Sequence, residues 1–339
     1  MTERANNEFP PLPDNPVPDP PHEAAAESVP ADPVFGSPPD APSAFAVDPI
    51  SYPAHSAETA PPPYHSLRLP DDLRISWSWV HLLFFLLSGF ASAEALPLLL
   101  AICVLEYRHQ PLAQVQQLAA NATFLVTTQV LIFGAIMFFL YITLGVLRDA
   151  PFWSTVGWKR LIVSASGRIY KPWMFPLLGG GLAILVAVGS SRVKDAENAP
   201  IEQLFKDPHA AFLLMAMAVL VAPLVEETVF RGYLYPLFAS SFAKVAAHYG
   251  VDSGRAVGFG TVGGVLLTGF LFGLLHGWQL GWNVTLVSLL TLVGVLFTFA
   301  RAATGTVLAS FLMHLGYNSL LAVVTTIATK GFTVAPPGH

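Results

Sequence analysis

The sequence predicts an all-α protein: a polytopic transmembrane helical bundle of about seven or eight spans, behind a disordered, proline-rich N-terminal tail. Two compositional facts point there. Apolar residues make up 53% of the 339 and charged residues only 12%, about half the charged share of an average soluble domain, and mean hydropathy is +0.56. The charge is also unevenly placed. Residues 1–70 hold ten acidic side chains against Arg4 and Arg68, together with 18 of the 29 prolines, so the net −5 joins an acidic tail to a weakly basic body. That body has no basic patch able to neutralise several phosphates, which argues against nucleic acid as a partner. Cys103 is the single cysteine, so an internal disulfide and a cysteine-based zinc cluster are both excluded.

The elements follow in order. Residues 1–76 form the tail, where strings such as PPLPDNPVPDPP remove backbone donors, favour extended geometry and bury almost nothing. It lacks the basic start and immediate apolar run of a signal peptide. PPPY at 61–64 matches a polyproline ligand pattern, though a segment this rich in proline produces such strings by chance. Apolar runs then recur near 81–105, 122–147, 173–190, 210–230, 257–275, 280–299 and 304–328. Most reach the roughly 20 residues that cross a bilayer core as a helix; the run at 173–190 is the shortest. Strand-like alternation is absent, which disfavours a barrel. The pattern divides into N-terminal transmembrane helices over 77–205 and a second membrane domain over 206–330.

Tryptophans and bases place this map in a membrane. All seven tryptophans (Trp77, Trp79, Trp153, Trp158, Trp173, Trp278, Trp282) fall at or near the ends of the runs, where amphipathic rings prefer the headgroup layer. The side holding the N-terminus collects ten bases, among them Arg148, Lys159, Lys244 and Arg301. The opposite side collects five: Arg108, Arg192, Lys194, Lys206 and Lys330. This bias predicts a multi-pass inner-membrane protein with a cytoplasmic N-terminus, whose partners are membrane lipids.

In so apolar a body the ionisable residues carry the information. The fourth run presents Glu226, Glu227 and Arg231 after some fifteen apolar residues. A carboxylate at a helix centre costs roughly 2.5–3.5 kcal/mol on insertion scales, so it needs a partner, a wet cavity or an interface. Helical spacing lets Glu227 and Arg231 pair and turns Glu226 about 100° away, free to face something else. Pro223 predicts a kink just before the pair. In the fifth run, His276 follows Phe272 by one turn, with Gly269, Gly273, Gly277 and Gly281 at intervals of four, a spacing that permits close helix approach. In the seventh, His314 and Asn318 share one face. Each motif alone has a bland reading, a salt bridge or a helix-gluing hydrogen bond. Together they supply a general base, two imidazoles able to bind metal or polarise a carbonyl, and an amide donor for an oxyanion. Hydrolysis of an acyl bond inside the membrane uses such a set.

At these residues the sequence resembles the CAAX-protease and bacteriocin-processing (CPBP, or Abi) family of intramembrane proteases, the type II prenyl-protein protease group. The family pattern EExxxR, FxxxH, HxxxN stands here as Glu226-Glu227 to Arg231, Phe272 to His276 and His314 to Asn318, in order, within about 210–325. The resemblance implies a helical bundle around a polar cavity, with residues 206–330 as the catalytic domain and a membrane-associated protein or peptide as substrate, CAAX-like or a peptide precursor. It implies Glu226 as the residue that activates water, His276 sharing that water or a metal, and His314 with Asn318 in metal binding or oxyanion stabilisation. Glu227 and Arg231 become a supporting pair. Two mechanisms stay open: a Zn2+ enzyme with Glu226, His276 and His314 as ligands, or a metal-free glutamate protease.

Absences narrow the choice. HExxH, GxSG, GxGD and GxxxxGK[ST] do not occur, which argues against zincins, serine and aspartyl intramembrane proteases and nucleotide-driven transport. A catalytically silent membrane scaffold or immunity protein is the alternative from another class. A proton-coupled transporter comes third, weakened by the lack of an internal repeat. Glu94, beside Pro97 in the first run, stands outside the motifs, either lining the cavity or lying near a kink.

Overall fold

The computed structural model describes residues 67–119, 121–161, 171–191, 193 and 208–331. The tail up to residue 66, with its PPPY string, and four of the counted bases (Arg168, Arg192, Lys194 and Lys206) lie outside the described residues. Among those described, every regular element is helical. Seven apolar helices carry the fold: α1 (Trp79–Tyr107), α2 (Ala122–Arg148), α3 (Met174–Ser190), α4 (Ala211–His248), α5 (Ser253–Leu275), α6 (Val284–Thr304) and α7 (Val307–Ala328). All but α3 are long and apolar enough to cross a membrane, so the chain is an integral multi-pass protein. The seven runs read from hydropathy are these seven helices.

Local chemistry sets the helix ends. Asn121 caps α2 by accepting from Phe124 N, Asp252 caps α5 from Arg255 N, Asn283 caps α6 from Thr285 N and Leu286 N, and Thr306 caps α7 from Leu308 N. Gly305, left-handed at φ +73, stops α6 and lets α7 start two residues later. The largest departure from the hydropathy map is α4, which runs on to His248 rather than ending near 230. It is not a uniform helix. Wider π turns at Met217–Val221 and Thr228–Leu234 flank the stretch Ala222–Glu227. Pro223 sits at the start of that stretch, where its missing N–H breaks the regular ladder and the preceding π turn absorbs the mismatch. The carboxylate pair therefore stands between two irregular turns.

Two cores flank the site. One joins Leu82 and Phe85 of α1, Leu140 and Leu144 of α2, and Phe230 and Tyr233 of α4 to Phe272 of α5. The other joins Phe175 and Leu182 of α3 to Val293 and Phe297 of α6 and Met313 and Tyr317 of α7. Helices on either side of residue 205 thus meet in both cores. Lipid tails are as apolar as leucine, so close packing must supply much of the attraction between these helices. Glycine provides it. A Cβ on Gly269 would lie 2.5 Å from Val295 N, and one on Gly273 2.7 Å from Thr291 N, so α5 lies directly against α6. The predicted stripe ends there, because Gly277 and Gly281 fall in the turn beyond α5.

The segment 67–76, assigned to the tail from sequence, is packed on the helical body. Leu73 is buried against Tyr235 and Ala239, and Asp72 Oδ2 pairs with Arg301 Nη1 at 3.0 Å. Proline density gave no sign of this, since the anchors are one leucine and one aspartate. The tryptophans also divide. Trp79, Trp153, Trp173, Trp278 and Trp282 are exposed near helix ends, as an interfacial belt requires. Trp77 is buried, stacks on Tyr233 and donates its indole N–H to the Tyr233 carbonyl. Trp158 gives its N–H to Thr228 Oγ1.

Candidate active site

Glu226 and Glu227 are neighbours with opposite environments, because one residue of helix turns them about 100° apart. The Glu227 side chain is 0% exposed and that of Glu226 is 17% exposed. Glu227 Oε1 accepts from Arg231 Nη1 at 2.8 Å, the pairing that their spacing predicts. Arg231 is itself fully buried and fully employed. Its Nε donates to Thr298 Oγ1 at 3.2 Å and its Nη2 to the Gly294 carbonyl at 3.0 Å. Its guanidinium lies 4.5 Å from the Phe272 ring centroid and 5.4 Å from that of Phe297, contacts that favour a cation. Arg231 therefore fastens α4 to α6. Thr298 and Gly294, its acceptors, carry no signal in the sequence, since a threonine and a glycine in an apolar helix read as packing residues.

Glu226 faces the two predicted histidines. Its Oε1 is 3.9 Å from His276 Nε2, and its Oε2 is 3.9 Å from His314 Nε2. These separations are too long for direct hydrogen bonds. The protonation of both rings follows from their other nitrogens. His276 Nδ1 lies 2.7 Å from the Phe272 carbonyl, which can only accept, so Nδ1 carries the proton. His314 Nδ1 lies 2.9 Å from Glu227 Oε1, again an acceptor when ionised. In their neutral forms both rings aim an Nε2 lone pair at a carboxylate. Three acceptors converge with no hydrogen among them, and a water's two protons or a cation would reconcile them. The fixing of Nδ1 by a carboxylate or carbonyl is also the arrangement that orients histidines around metal ions.

The donor chemistry, two imidazoles and a carboxylate, is what zinc takes. The spacing is looser than an ion needs. A tetrahedral ion with bonds of about 2.0–2.1 Å sets its ligand atoms about 3.4 Å apart, so each 3.9 Å separation would have to close. Among the described residues no group of three or more His, Cys, Asp or Glu holds together as a metal cluster as it stands.

Asn318, the predicted oxyanion donor, lines the same cavity, but its Nδ2 donates to the Ala218 carbonyl at 2.7 Å. Ala218 lies in the first π turn of α4. One N–H of Asn318 thus ties α7 to α4, and the other is left for a ligand. The cavity encloses about 430 Å³, bounded by α2, α4, α5, α6 and α7, with Glu226, His276, His314 and Asn318 on its wall. Glu94 is exposed on α1 and does not line it. His81 was not foreseen. Thr143 gives its hydroxyl hydrogen to the Phe139 carbonyl, so it accepts from His81 Nε2 at 2.9 Å, and His81 Nδ1 accepts from the Tyr233 hydroxyl at 2.7 Å. This chain joins α1 and α2 to the second π turn of α4.

A carboxylate beside two ring-nitrogen lone pairs, inside a cavity walled by apolar spanning helices, is the set of groups that hydrolysis of an acyl bond inside a membrane calls for. Residues 208–320 match a family model described as Rce1-like, type II CAAX prenyl endopeptidase Rce1-like. The match spans the third of the chain that holds all three motifs, bears out the resemblance to the CAAX-protease family, and supports a CAAX-type intramembrane protease activity. Comparisons with curated proteins and with solved structures returned no match.

Proposed function

We propose that the chain is an integral-membrane endopeptidase in which Glu226 activates a water to cleave a peptide bond of a membrane-associated substrate, CAAX-like or a peptide precursor. The observation that carries this is the convergence of Glu226 with the Nε2 lone pairs of His276 and His314. A water between them gives one proton toward Glu226 and the other toward an imidazole. As its oxygen attacks the carbonyl carbon, Glu226 takes the proton; as the C–N bond breaks, Glu226 returns it to the departing nitrogen. Asn318 lines the same cavity, and its remaining N–H donates to the oxyanion in this reading. Glu227 and Arg231 hold the His314 ring in orientation through Nδ1. A zinc ion held by Glu226, His276 and His314 would lower the pKa of its water and polarise the carbonyl.

A cytoplasmic N-terminus in the inner membrane belongs to the same proposal, supported by the base asymmetry. Arg301, counted toward that asymmetry, is buried against Asp72 and does not face headgroups; nine bases remain on that side against five. The test is hydrolysis of a quenched-fluorescent peptide with an apolar anchor by purified protein in vesicles, with metal content measured on the same samples. E226Q, nearly isosteric and uncharged, should abolish turnover while the fold stays intact. Full activity in that variant would sink the proposal, and full cellular function without turnover would leave the scaffold reading.

A further inference from the structure

One wall of the catalytic cavity comes from α2, outside the 208–320 segment that the family model matches, and it presents a single polar side chain, Gln129. Gln129 stands two turns inside α2, followed by VLIFGAIMFFL. Of the other polar groups of the cavity, His276 Nδ1 is committed to Phe272, His314 Nδ1 to Glu227 and one N–H of Asn318 to Ala218, while Gln279, Tyr317 and Thr325 lie on α7 and in the turn beyond α5 rather than on this wall. Gln129 is half-buried, and its amide has no hydrogen-bond partner among the described residues. It offers two donors and an acceptor to the cavity. A polar side chain on a helix that crosses the bilayer opposes insertion unless it is satisfied, so the place of this amide on the cavity wall points to an occupant that satisfies it.

The chemistry of that occupant follows from the amide. A peptide strand that leaves water for this cavity brings an N–H and a C=O on each residue, and each must find a partner. A primary amide complements a peptide group, since it donates and accepts from one planar head. We infer that Gln129 hydrogen-bonds the main chain of the peptide substrate and, from the α2 side of the cavity, holds it in register with Glu226. The inference rests on the protease reading and deepens it. It also gives the N-terminal helices a part in substrate binding, with no demand on the substrate's side chains.

The test uses full-length protein in phosphatidylethanolamine–phosphatidylglycerol vesicles and the quenched, apolar-anchored peptide above. In Q129L, KM should rise about tenfold, the effect of one or two lost hydrogen bonds, while kcat stays within about twofold. The thermal midpoint should hold or rise, because an unsatisfied amide has been replaced by an apolar chain of similar size; Q129N should recover part of the loss in KM. Scanning N-methylation along the peptide should find one position that costs wild type about tenfold and costs Q129L little more. A wild-type KM in Q129L, or an equal penalty from every N-methyl peptide in both proteins, overturns the inference. A binding arm separates this result from the protease reading. Dye-labelled peptide should bind E226Q about tenfold more tightly than it binds Q129L/E226Q, whether or not wild type turns over. That difference without hydrolysis sinks the protease reading alone; equal affinities with hydrolysis sink the role of Gln129 alone; no binding to E226Q sinks the role of Gln129 as well.

Discussion

Replacing Arg231 with Met removes the one Lys or Arg paired with Glu227 among the described residues and leaves an unbranched, uncharged chain. The cost can be apportioned from the contacts. Glu227 Oε1 keeps His314 Nδ1 at 2.9 Å, and the Gly294 carbonyl keeps the Thr298 hydroxyl at 2.7 Å. Lost hydrogen bonding is therefore partial, about 1 kcal/mol per group affected. The larger loss is a carboxylate left at 0% exposure without its counter-ion. Breaking one side of a buried pair costs about 3–5 kcal/mol, whereas replacing both partners with neutral groups is often close to neutral. R231M should fall by that amount, and E227Q/R231M should recover most of it. At roughly 2–4 °C per kcal/mol for a body of this size, the single variant should unfold roughly 6–20 °C lower. Thermal and denaturant unfolding in mixed detergent micelles would read both quantities. A loss under 1 kcal/mol in R231M, or a double variant no better than the single, would refute the view that Glu227 is ionised and held by Arg231. Recovery of stability should not bring back hydrolysis, because His314 would lose the charged acceptor that fixes its Nδ1 proton.

Two further outcomes follow from packing. G179A places a Cβ 1.8 Å from the Met313 carbonyl oxygen, a backbone atom that cannot swing aside. α3 and α7 must part by roughly 1.5–2 Å to reach ordinary contact, which carries His314 away from Glu227. Turnover should fall on the order of a hundredfold, and unchanged kinetics in vesicles would show that α7 does not set the site. D72N removes the charged partner of Arg301, which is 1% exposed, from a segment held also by Leu73. It should lower stability by about 1–3 kcal/mol and expose the 67–77 segment to limited proteolysis; a wild-type cleavage pattern would show that the ion pair does not anchor it.

The helices were legible because hydropathy reports how much apolar length a segment has; their exact starts are set by the caps Asn121, Asp252, Asn283 and Thr306, which hydropathy does not weigh. The end of α4 was not. Its second half, Tyr235–His248, is more amphipathic and packs on α5, so a scan for uniformly apolar spans stops short of it. The i, i+4 spacing of Glu227 and Arg231 carried their pairing, and the order of the three motifs carried the meeting of Glu226, His276 and His314. Spacing within a helix says nothing of what lies across it, so the acceptors Thr298 and Gly294 and the His81–Tyr233 chain emerged only in three dimensions. Asn318 shows the converse. A polar residue in the right motif read as a donor for chemistry, and half of its amide is engaged by the Ala218 carbonyl in the π turn at 217–221.

The most direct measurement of the central claim is single-turnover hydrolysis in water enriched in oxygen-18, with enzyme in excess over the anchored peptide and metal content known. If Glu226 activates a water that attacks the carbonyl, the new carboxylate carries one solvent oxygen from the first turnover, Glu226 acquires none, and E226Q yields no product. Unlabelled first-turnover product with label in Glu226 would instead make the carboxylate a nucleophile, and product from E226Q at the wild-type rate would remove Glu226 from the reaction.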